Sequence, residues 1–256
     1  MNPELSLLET FLHGEKYYLP SVAANNVIFG FNDDQMKVLL LKITATEKWT
    51  LPGGFILKDE ELIVAAERIL KTATGLESVF LQQFGVFGGV DRAKEEMKTL
   101  PDQLKNVKIS EDSFLLQRFV VIGYLALVKY HLVTPKCDEV TQCEWFDLNN
   151  LPPLTFDHNL IVENALKVLR FQLSYLPIGY NLLPEEFPLK SLQLIYETIL
   201  GRKLDRGNFN KKILSYGILE KKEKFYGGGA HKAPYLYSFK KEIYFNALEN
   251  GLSKDF

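Results

Sequence analysis

Residues 52–76, PGGFILKDEELIVAAERILKTATGL, decide the fold of the first half of the chain. Gly53-Gly54 permits a tight backbone turn after an extended run. Asp59 is the expected N-cap of the helix that follows, with acidic residues in the first turn where the helix dipole favours them. Apolar residues then recur at helical spacing until Gly75, which suits a left-handed cap. The stretch therefore predicts a loop, an amphipathic helix and a second turn.

This stretch resembles the Nudix box, the loop-helix-loop signature of the Nudix hydrolases. The positions that match the signature are Gly54, Glu60, Arg68, Leu70, Gly75 and Leu76. Three glutamates at the core of the signature are missing, and their places are taken by Ile69, Thr72 and Ala73. These positions share one helix face.

In the enzymes of this family that face holds Mg²⁺, which needs hard oxygen ligands. The resemblance therefore implies a Nudix fold without hydrolytic activity, with no catalytic residue, no metal ligand and no cofactor. Glu60 and Arg68 are expected to brace the loop. Two alternatives stay open: an ordinary amphipathic helix after a Gly-Gly turn, or an unusual hydrolase that recruits metal through Glu60, Glu61 or Glu67.

Length limits the number of domains, and the charge distribution limits the chemistry of the partners. A chain of 256 residues suits one or two domains. Residues 188–241 contain twelve Lys/Arg and four Asp/Glu, so this block carries +8 and the rest −10 of the net −2. A basic block in an acidic protein indicates a polyanionic partner for that block.

Compartment signals point to the cytoplasm. Cys137 and Cys143 lack metal-binding spacing and are expected to be buried or free thiols in a reducing compartment. No signal-peptide pattern opens the sequence, and no apolar run approaches the ~18–20 residues of a membrane span. We therefore expect a cytoplasmic protein with no membrane partner.

The hydrophobic period changes after residue 155. Strand and turn patterns precede it, and helical patterns follow over 157–175, 189–200 and 205–216. Two short strands joined by a glycine-rich segment come next, at 222–226 and 235–239. This order is typical of a winged helix. The predicted class is α+β, with an N-terminal Nudix α/β/α sandwich with a mixed sheet over 1–156 and a winged helix-turn-helix over 157–256.

The second helix of a helix-turn-helix lies in the major groove of DNA. Arginine and asparagine read base edges there, whereas lysines meet phosphates. The predicted DNA-binding residues of the helix region and the wing are Lys203, Arg206, Asn208, Asn210, Lys211, Lys212, Lys222, Lys224, His231 and Lys232. Leu204, Phe209, Ile213 and Leu214 would form the buried face. The alternative is a solvated basic face on a protein-binding winged helix.

Two further motifs make the resemblance more specific. LTFDH at 154–158 and LDRGNFNKKIL at 204–214 look like the Nudix-related transcription regulators, and the likeness covers about residues 20–240. The resemblance implies a homodimeric repressor that binds a palindromic double-stranded DNA operator and responds to a small-molecule effector. Some branches of the family sense ADP-ribose, and others regulate sugar use, including an arabinose-responsive branch.

An ADP-ribose effector would need its diphosphate neutralised by cationic side chains. Besides Arg68, only Arg92 and Arg118 precede the boundary helix, so a pentose such as L-arabinose is favoured over ADP-ribose. The candidate ligand-binding residues are Lys42, Trp49, Asp91, Arg92, Gln117, Arg118 and His158. Competing roles are a surface salt bridge for Asp91-Arg92, a core position for Trp49 and a brace of the boundary helix for His158.

Overall fold

The computed structural model describes residues 7–32, 35–43, 48–77, 79–92, 113–135, 141–224 and 234–252. The chain divides into two compact units. The first comprises residues 1–29, 38–126 and 133–165, and the second comprises 30–37, 127–132 and 166–256. The predicted boundary at 156/157 stays a prediction.

The first unit is built on a mixed sheet. Its elements are α1 (Leu7–Tyr17), β1 (Tyr18–Asn32), β2 (Gln35–Ile43), β3 (Gly53–Leu57), α2 (Leu62–Thr74), β4 (Leu81–Phe87), β5 (Val120–Val128) and β6 (Thr141–Asp147). The strand order is β4-β5-β1-β2-β6, and β3 pairs antiparallel with β1. The centre of β1 is the core of this unit, because Val27, Ile28 and Phe29 are fully buried.

The Nudix-box helix α2 forms as its apolar spacing predicts. It buries one face, made of Ala65, Ala66, Ile69, Leu70, Ala73 and Thr74. Gly75 ends the helix in the left-handed conformation, with φ 74°. The predicted N-cap was wrong: Glu61 takes that place, and Asp59 lies in a turn in which the Glu60 amide donates to the Leu57 carbonyl oxygen at 3.2 Å.

The second unit is a winged helix. Helix α3 (His158–Gln172) begins in the first unit and ends in the second. It is followed by β7 (Phe187–Pro188), α4 (Leu189–Leu200), α5 (Arg206–Ser215), β8 (Leu219–Lys224), β9 (Tyr235–Phe239) and α6 (Lys241–Asn250). The strands form an antiparallel sheet in the order β7-β9-β8. The predicted fold class, a Nudix domain followed by a winged helix, is confirmed.

Two sequence expectations were incomplete. Helix α6 was not predicted, although its buried Tyr244 donates a hydrogen bond to the Pro177 carbonyl oxygen at 2.9 Å. The 3₁₀ turn at 114–116, which precedes β5, was not predicted either.

The thiol expectation was wrong. Cys143, on β6, is disulfide-bonded, and no free cysteine occurs among the described residues. Cys137, the other cysteine of the sequence, lies outside the described residues. In the part of the chain that the structure describes, no helix has the length and apolar character needed to cross a membrane.

Arg68 and Glu60 brace the loop between β3 and α2, as predicted. Arg68 Nε donates to Glu60 Oε1 at 2.8 Å, and Arg68 Nη2 donates to Oε2 at 2.7 Å and to the Phe55 carbonyl oxygen at 2.9 Å. The Leu57 amide also donates to Glu60, at 3.1 Å. Burial alone would raise the pKa of Glu60, but these hydrogen bonds and the charge of Arg68 outweigh burial and lower it.

Replacing Arg68 should destabilise the first unit. Arg68→Ala leaves the Glu60 carboxylate, whose side chain is 8% exposed, without its charged partner. We expect a loss of about 1–3 kcal/mol in the free energy of unfolding. Urea unfolding followed by tryptophan fluorescence measures it, because Trp49 and Trp145 both lie in the first unit.

Lys71→Ala is the matched control on the same helix. Lys71 pairs with Glu77, but both side chains are more than half exposed. We therefore expect a change within about 0.5 kcal/mol. Equal losses in the two variants would contradict a structural role for the Arg68–Glu60 pair.

Candidate functional site

His158 is the centre of a buried hydrogen-bond cluster at the first residue of α3. Its Nδ1 accepts a hydrogen bond from the Leu51 amide at 3.0 Å and lies 3.1 Å from Thr50 Oγ1. Its Nε2 lies 2.7 Å from the side-chain amide of Asn25 on β1. The imidazole is 4% exposed. These contacts support the bracing role that the sequence left open, and an effector contact of His158 stays a prediction.

Arg92 pairs with Asp157 rather than with its neighbour Asp91. Arg92 Nε donates to Asp157 Oδ2 at 2.8 Å, and Arg92 Nη2 lies 2.8 Å from Oδ1. The Arg92 side chain is 6% exposed and that of Asp157 is 22% exposed, so the pair is largely buried. A two-pronged guanidinium–carboxylate contact fixes both groups in orientation. The pair ties the segment after β4 to the residue that precedes α3.

Lys42 and Trp49 lie together. The Lys42 ammonium is 5.9 Å from the centre of the Trp49 ring, and Trp49 packs edge-on against Phe146 at 4.7 Å. Trp49 is half-buried, which leaves part of its ring accessible. Its backbone is joined to the LTFDH motif, because the Thr155 amide donates to the Trp49 carbonyl oxygen at 2.8 Å.

The remaining effector candidates lie at the surface. Gln117 and Arg118 precede β5 and are exposed, and Arg118 donates a hydrogen bond to the Gly88 carbonyl oxygen. Asp91 is also exposed. The predicted set is therefore distributed over a buried cluster at His158, a salt bridge at Arg92, the Lys42–Trp49 pair and the exposed segment around Arg118.

The sequence did not identify Asn25, Thr50 or Asp157 as members of these clusters. The signal for Asn25 was the pair of asparagines in an otherwise apolar strand, because a buried polar side chain needs a partner. Asp157 gave no such signal, because an aspartate at a junction between domains is as often exposed to solvent as it is paired with an arginine.

The helix face that binds metal in Nudix hydrolases is apolar here. Ile69 and Ala73 are buried, and Thr72 is exposed. A Cβ added to Gly54 would lie 3.2 Å from Ile69 Cδ1, so the isoleucine packs closely under the Nudix loop. Among the described residues, no group of three His, Cys, Asp or Glu side chains is placed to hold a metal ion.

Glu197 stabilises the turn between α4 and α5 through hydrogen bonds. It accepts hydrogen bonds from the Leu204 amide, the Gln193 side chain and the Lys203 ammonium, each at 2.9 Å. The Leu204 contact, followed by those from Lys203 and Gln193, lowers the pKa of Glu197 to about 2. This carboxylate was missed from the sequence, although a glutamate on the buried face of α4 was a usable signal.

Helix α5 is capped and presents polar groups to solvent. Asp205 is its N-cap and accepts a hydrogen bond from the Asn208 amide at 2.8 Å. Phe209 and Ile213 are its buried residues. The predicted burial of Leu214 was wrong, because Leu214 is 41% exposed.

The predicted DNA contacts of the helix region have different exposures. Five of these side chains are exposed, namely Lys203, Arg206, Asn208, Lys211 and Lys212. Asn210 is half-buried. The Lys203 side chain is 86% exposed even though its ammonium meets Glu197. Helical spacing places Asn208 and Lys212 on one flank of α5, and Arg206 and Asn210 on the other.

On the wing, Lys222 pairs with Glu220 at 2.7 Å, and this hydrogen bond raises the pKa of Lys222. The Lys224 ammonium lies 5.1 Å from the Tyr235 ring centre. The predicted contacts His231 and Lys232 lie outside the described residues.

Comparison with known proteins gives two family matches. The NUDIX domain model matches residues 21–165, and the model described as the NrtR DNA-binding winged helix domain matches residues 179–239.

Three relatives represent the range of similar proteins. An "ADPR responsive transcriptional repressor NtrR" from Acinetobacter baylyi is 26% identical over 89% of this chain and 85% of its own length. An ADP-ribose pyrophosphatase from Methanocaldococcus jannaschii is 29% identical over 59% of this chain and 76% of its own length. The crystal structure of Shewanella oneidensis NrtR complexed with a 27mer DNA has a TM-score of 0.68 and 25% identity, and the match covers 88% of this chain and 95% of that one.

The NUDIX match spans more than half of the 256 residues, and the winged-helix match lies within the second unit. The chain therefore belongs to the Nudix family and is a Nudix-related transcription regulator with a C-terminal NrtR winged helix.

Proposed function

We propose that this protein is a transcriptional repressor whose Nudix unit binds an effector and whose winged helix binds duplex DNA. The observation that supports it most directly is α5, a capped helix whose exposed surface offers Arg206, Asn208 and Lys211 beside a turn fixed by Glu197. Such a helix has groups for both base edges and phosphates. Its match to a DNA-binding domain model supports the same role.

We propose ADP-ribose as the effector in place of the pentose that the sequence favoured. The Acinetobacter relative, which covers most of the chain, is described as ADPR-responsive, and nothing among the relatives supports L-arabinose or carbohydrate metabolism. Counting arginines alone overlooks lysines and backbone N–H groups, which also bind phosphate oxygens. Lys42 and Trp49 offer a cation beside an aromatic ring, a combination that suits a nucleotide.

We propose that the Nudix unit senses ADP-ribose without hydrolysing it. Ile69, Thr72 and Ala73 bring no carboxylate to the metal-binding face, and the Glu60 carboxylate is engaged by Arg68 and the Leu57 amide. Hydrolysis of ADP-ribose is the second candidate function, because the Methanocaldococcus relative is an ADP-ribose pyrophosphatase.

The proposed assembly is a homodimer on a palindromic operator. A two-fold dimer that inserts α5 from each subunit would meet two half-sites about one helical turn apart, roughly 34–36 Å. The proposed compartment is the cytoplasm, where such an operator is accessible.

Substitutions on α5 should separate base reading from phosphate binding. Asn208→Ala removes a side chain that reads base edges, so the preferred duplex should lose about 1–3 kcal/mol of binding free energy and discrimination should relax. Lys211→Ala should weaken binding to every duplex and lower the salt slope by about 1. Selection of bound duplexes from genomic fragments, followed by salt titrations, measures both effects.

Lys71→Ala in the first unit is the control, because it removes one positive charge far in sequence from α5. It should leave DNA binding unchanged. Identical behaviour of Asn208→Ala and Lys211→Ala would contradict the assigned roles, and failure to enrich any duplex at low salt would contradict DNA binding itself.

ADP-ribose binding should be visible at Trp49. In a Trp145→Phe background Trp49 is the sole tryptophan, and ADP-ribose should change its emission whereas L-arabinose should not. Trp49→Leu should weaken the calorimetric affinity for ADP-ribose about tenfold, since loss of base–aromatic stacking costs about 1–3 kcal/mol. Tight L-arabinose binding without ADP-ribose binding would reverse the choice of effector.

Turnover should be absent when ADP-ribose and Mg²⁺ are supplied together. AMP release measured by chromatography should not exceed that of a Glu60→Gln variant, because neither protein has the carboxylates that activate water through a metal. Mg²⁺-dependent release that Glu60→Gln abolishes would establish the hydrolase instead.

A further inference from the structure

A cavity of about 350 Å³ lies in the second unit beside α5. Its floor is apolar and is formed by Leu173, Leu200, Leu204, Phe209 and Ile213. Small-molecule sites in proteins are concave, mostly apolar and about 300–1,000 Å³ in volume. The cavity therefore has the size and lining of a small ligand site, and it lies in the winged-helix unit rather than in the Nudix unit.

Three cations are among the residues that line this cavity: Arg170 from the end of α3, Arg202 from the turn and Lys212 from α5. Each is exposed, and within the described part of the chain none is ion-paired with a carboxylate. Arg170 is held in place, because its Nε donates to the Ile199 carbonyl oxygen at 2.7 Å.

The cavity has one acidic lining residue, Asp205, whose Oδ1 already accepts the hydrogen bond from the Asn208 amide. The lining charge is therefore +2 beside an apolar floor. A bare phosphate would use the cations but not the floor, and a neutral apolar molecule would use the floor but not the cations. The complementary ligand is an amphipathic anion.

We propose that this cavity binds a small organic anion with an aromatic or branched apolar body and a single carboxylate, sulfonate or phosphate group. Two cavity-lining residues, Asn208 and Lys212, belong to the helix that the proposed function places on DNA. Ligand binding would immobilise both side chains and lower DNA affinity, a consequence that rests on that proposed function. Binding itself is independent of DNA and of ADP-ribose.

Two fluorescent probes that differ in one charged group test the proposal. The anionic probe is 8-anilino-1-naphthalenesulfonate, and the neutral probe is N-phenyl-1-naphthylamine, which lacks the sulfonate. Titrations use the full chain with saturating ADP-ribose. The anionic probe should bind about tenfold more tightly than the neutral one, and the double variant Arg170→Gln/Arg202→Gln should remove that advantage while leaving the neutral probe unaffected.

The control is the double variant Lys190→Gln/Lys241→Gln. It makes the same charge change at two exposed positions of the second unit that do not line the cavity. It should leave both probes unchanged. Ser174→Trp, at an exposed position of the lining, should fill the cavity and block both probes without touching the core.

The proposal fails if the two probes bind equally, if the control lowers anionic binding as much as the Arg170/Arg202 variant, or if Ser174→Trp leaves binding intact. It also fails if the Arg170/Arg202 variant alters DNA affinity alone, which would make the cavity part of the DNA surface. Circular dichroism of each variant shows whether it is folded. Because probe binding is measured without DNA, its outcome is separate from that of the proposed function.

Discussion

The buried imidazole of His158 is the contact on which the arrangement of the first unit most depends. Its Nδ1 accepts a hydrogen bond from the Leu51 amide, and its Nε2 lies 2.7 Å from the side-chain amide nitrogen of Asn25. One ring thereby joins β1, the segment that enters the Nudix loop and the first turn of α3. An aliphatic side chain could not replace it, because the buried Leu51 amide would lose its acceptor.

Buried or half-buried charged groups also fix a loop in the first unit and a turn in the second, because they form hydrogen bonds with the backbone. Glu60 accepts the Leu57 amide and Arg68 donates to the Phe55 carbonyl oxygen, which sets the Nudix loop. Glu197 accepts the Leu204 amide, which sets the turn before α5. Loops that are hydrogen-bonded in this way are pre-organised, and pre-organisation reduces the entropy lost when a ligand binds. Of the residues proposed to bind ligands, Trp49 precedes the Nudix loop and Asn208 follows the turn before α5.

Local signals predicted local structure well. Gly75 ends α2 and Asp205 begins α5, because each determines the conformation of its own turn. The sequence could not identify contacts between distant segments: Asn25 and His158 are 133 residues apart, and Arg92 and Asp157 are 65 apart. The misplaced burial of Leu214 has a different origin. An apolar residue at the end of a helix with mixed polarity fits either face, and tertiary packing decides which.

The arginines of the first unit determine how an anionic effector would act. Arg68 and Arg92 are both held by carboxylates, so a diphosphate that recruited Arg92 would have to displace Asp157 from a nearly buried pair. Removing one partner leaves the other charge without compensation, which costs free energy. Asp157 precedes the first residue of α3, the helix that continues into the second unit. An effector that competes for Arg92 would therefore bind more tightly to a state in which the Arg92–Asp157 contact is already broken. This difference in affinity between two states is the thermodynamic requirement for a ligand-controlled regulator.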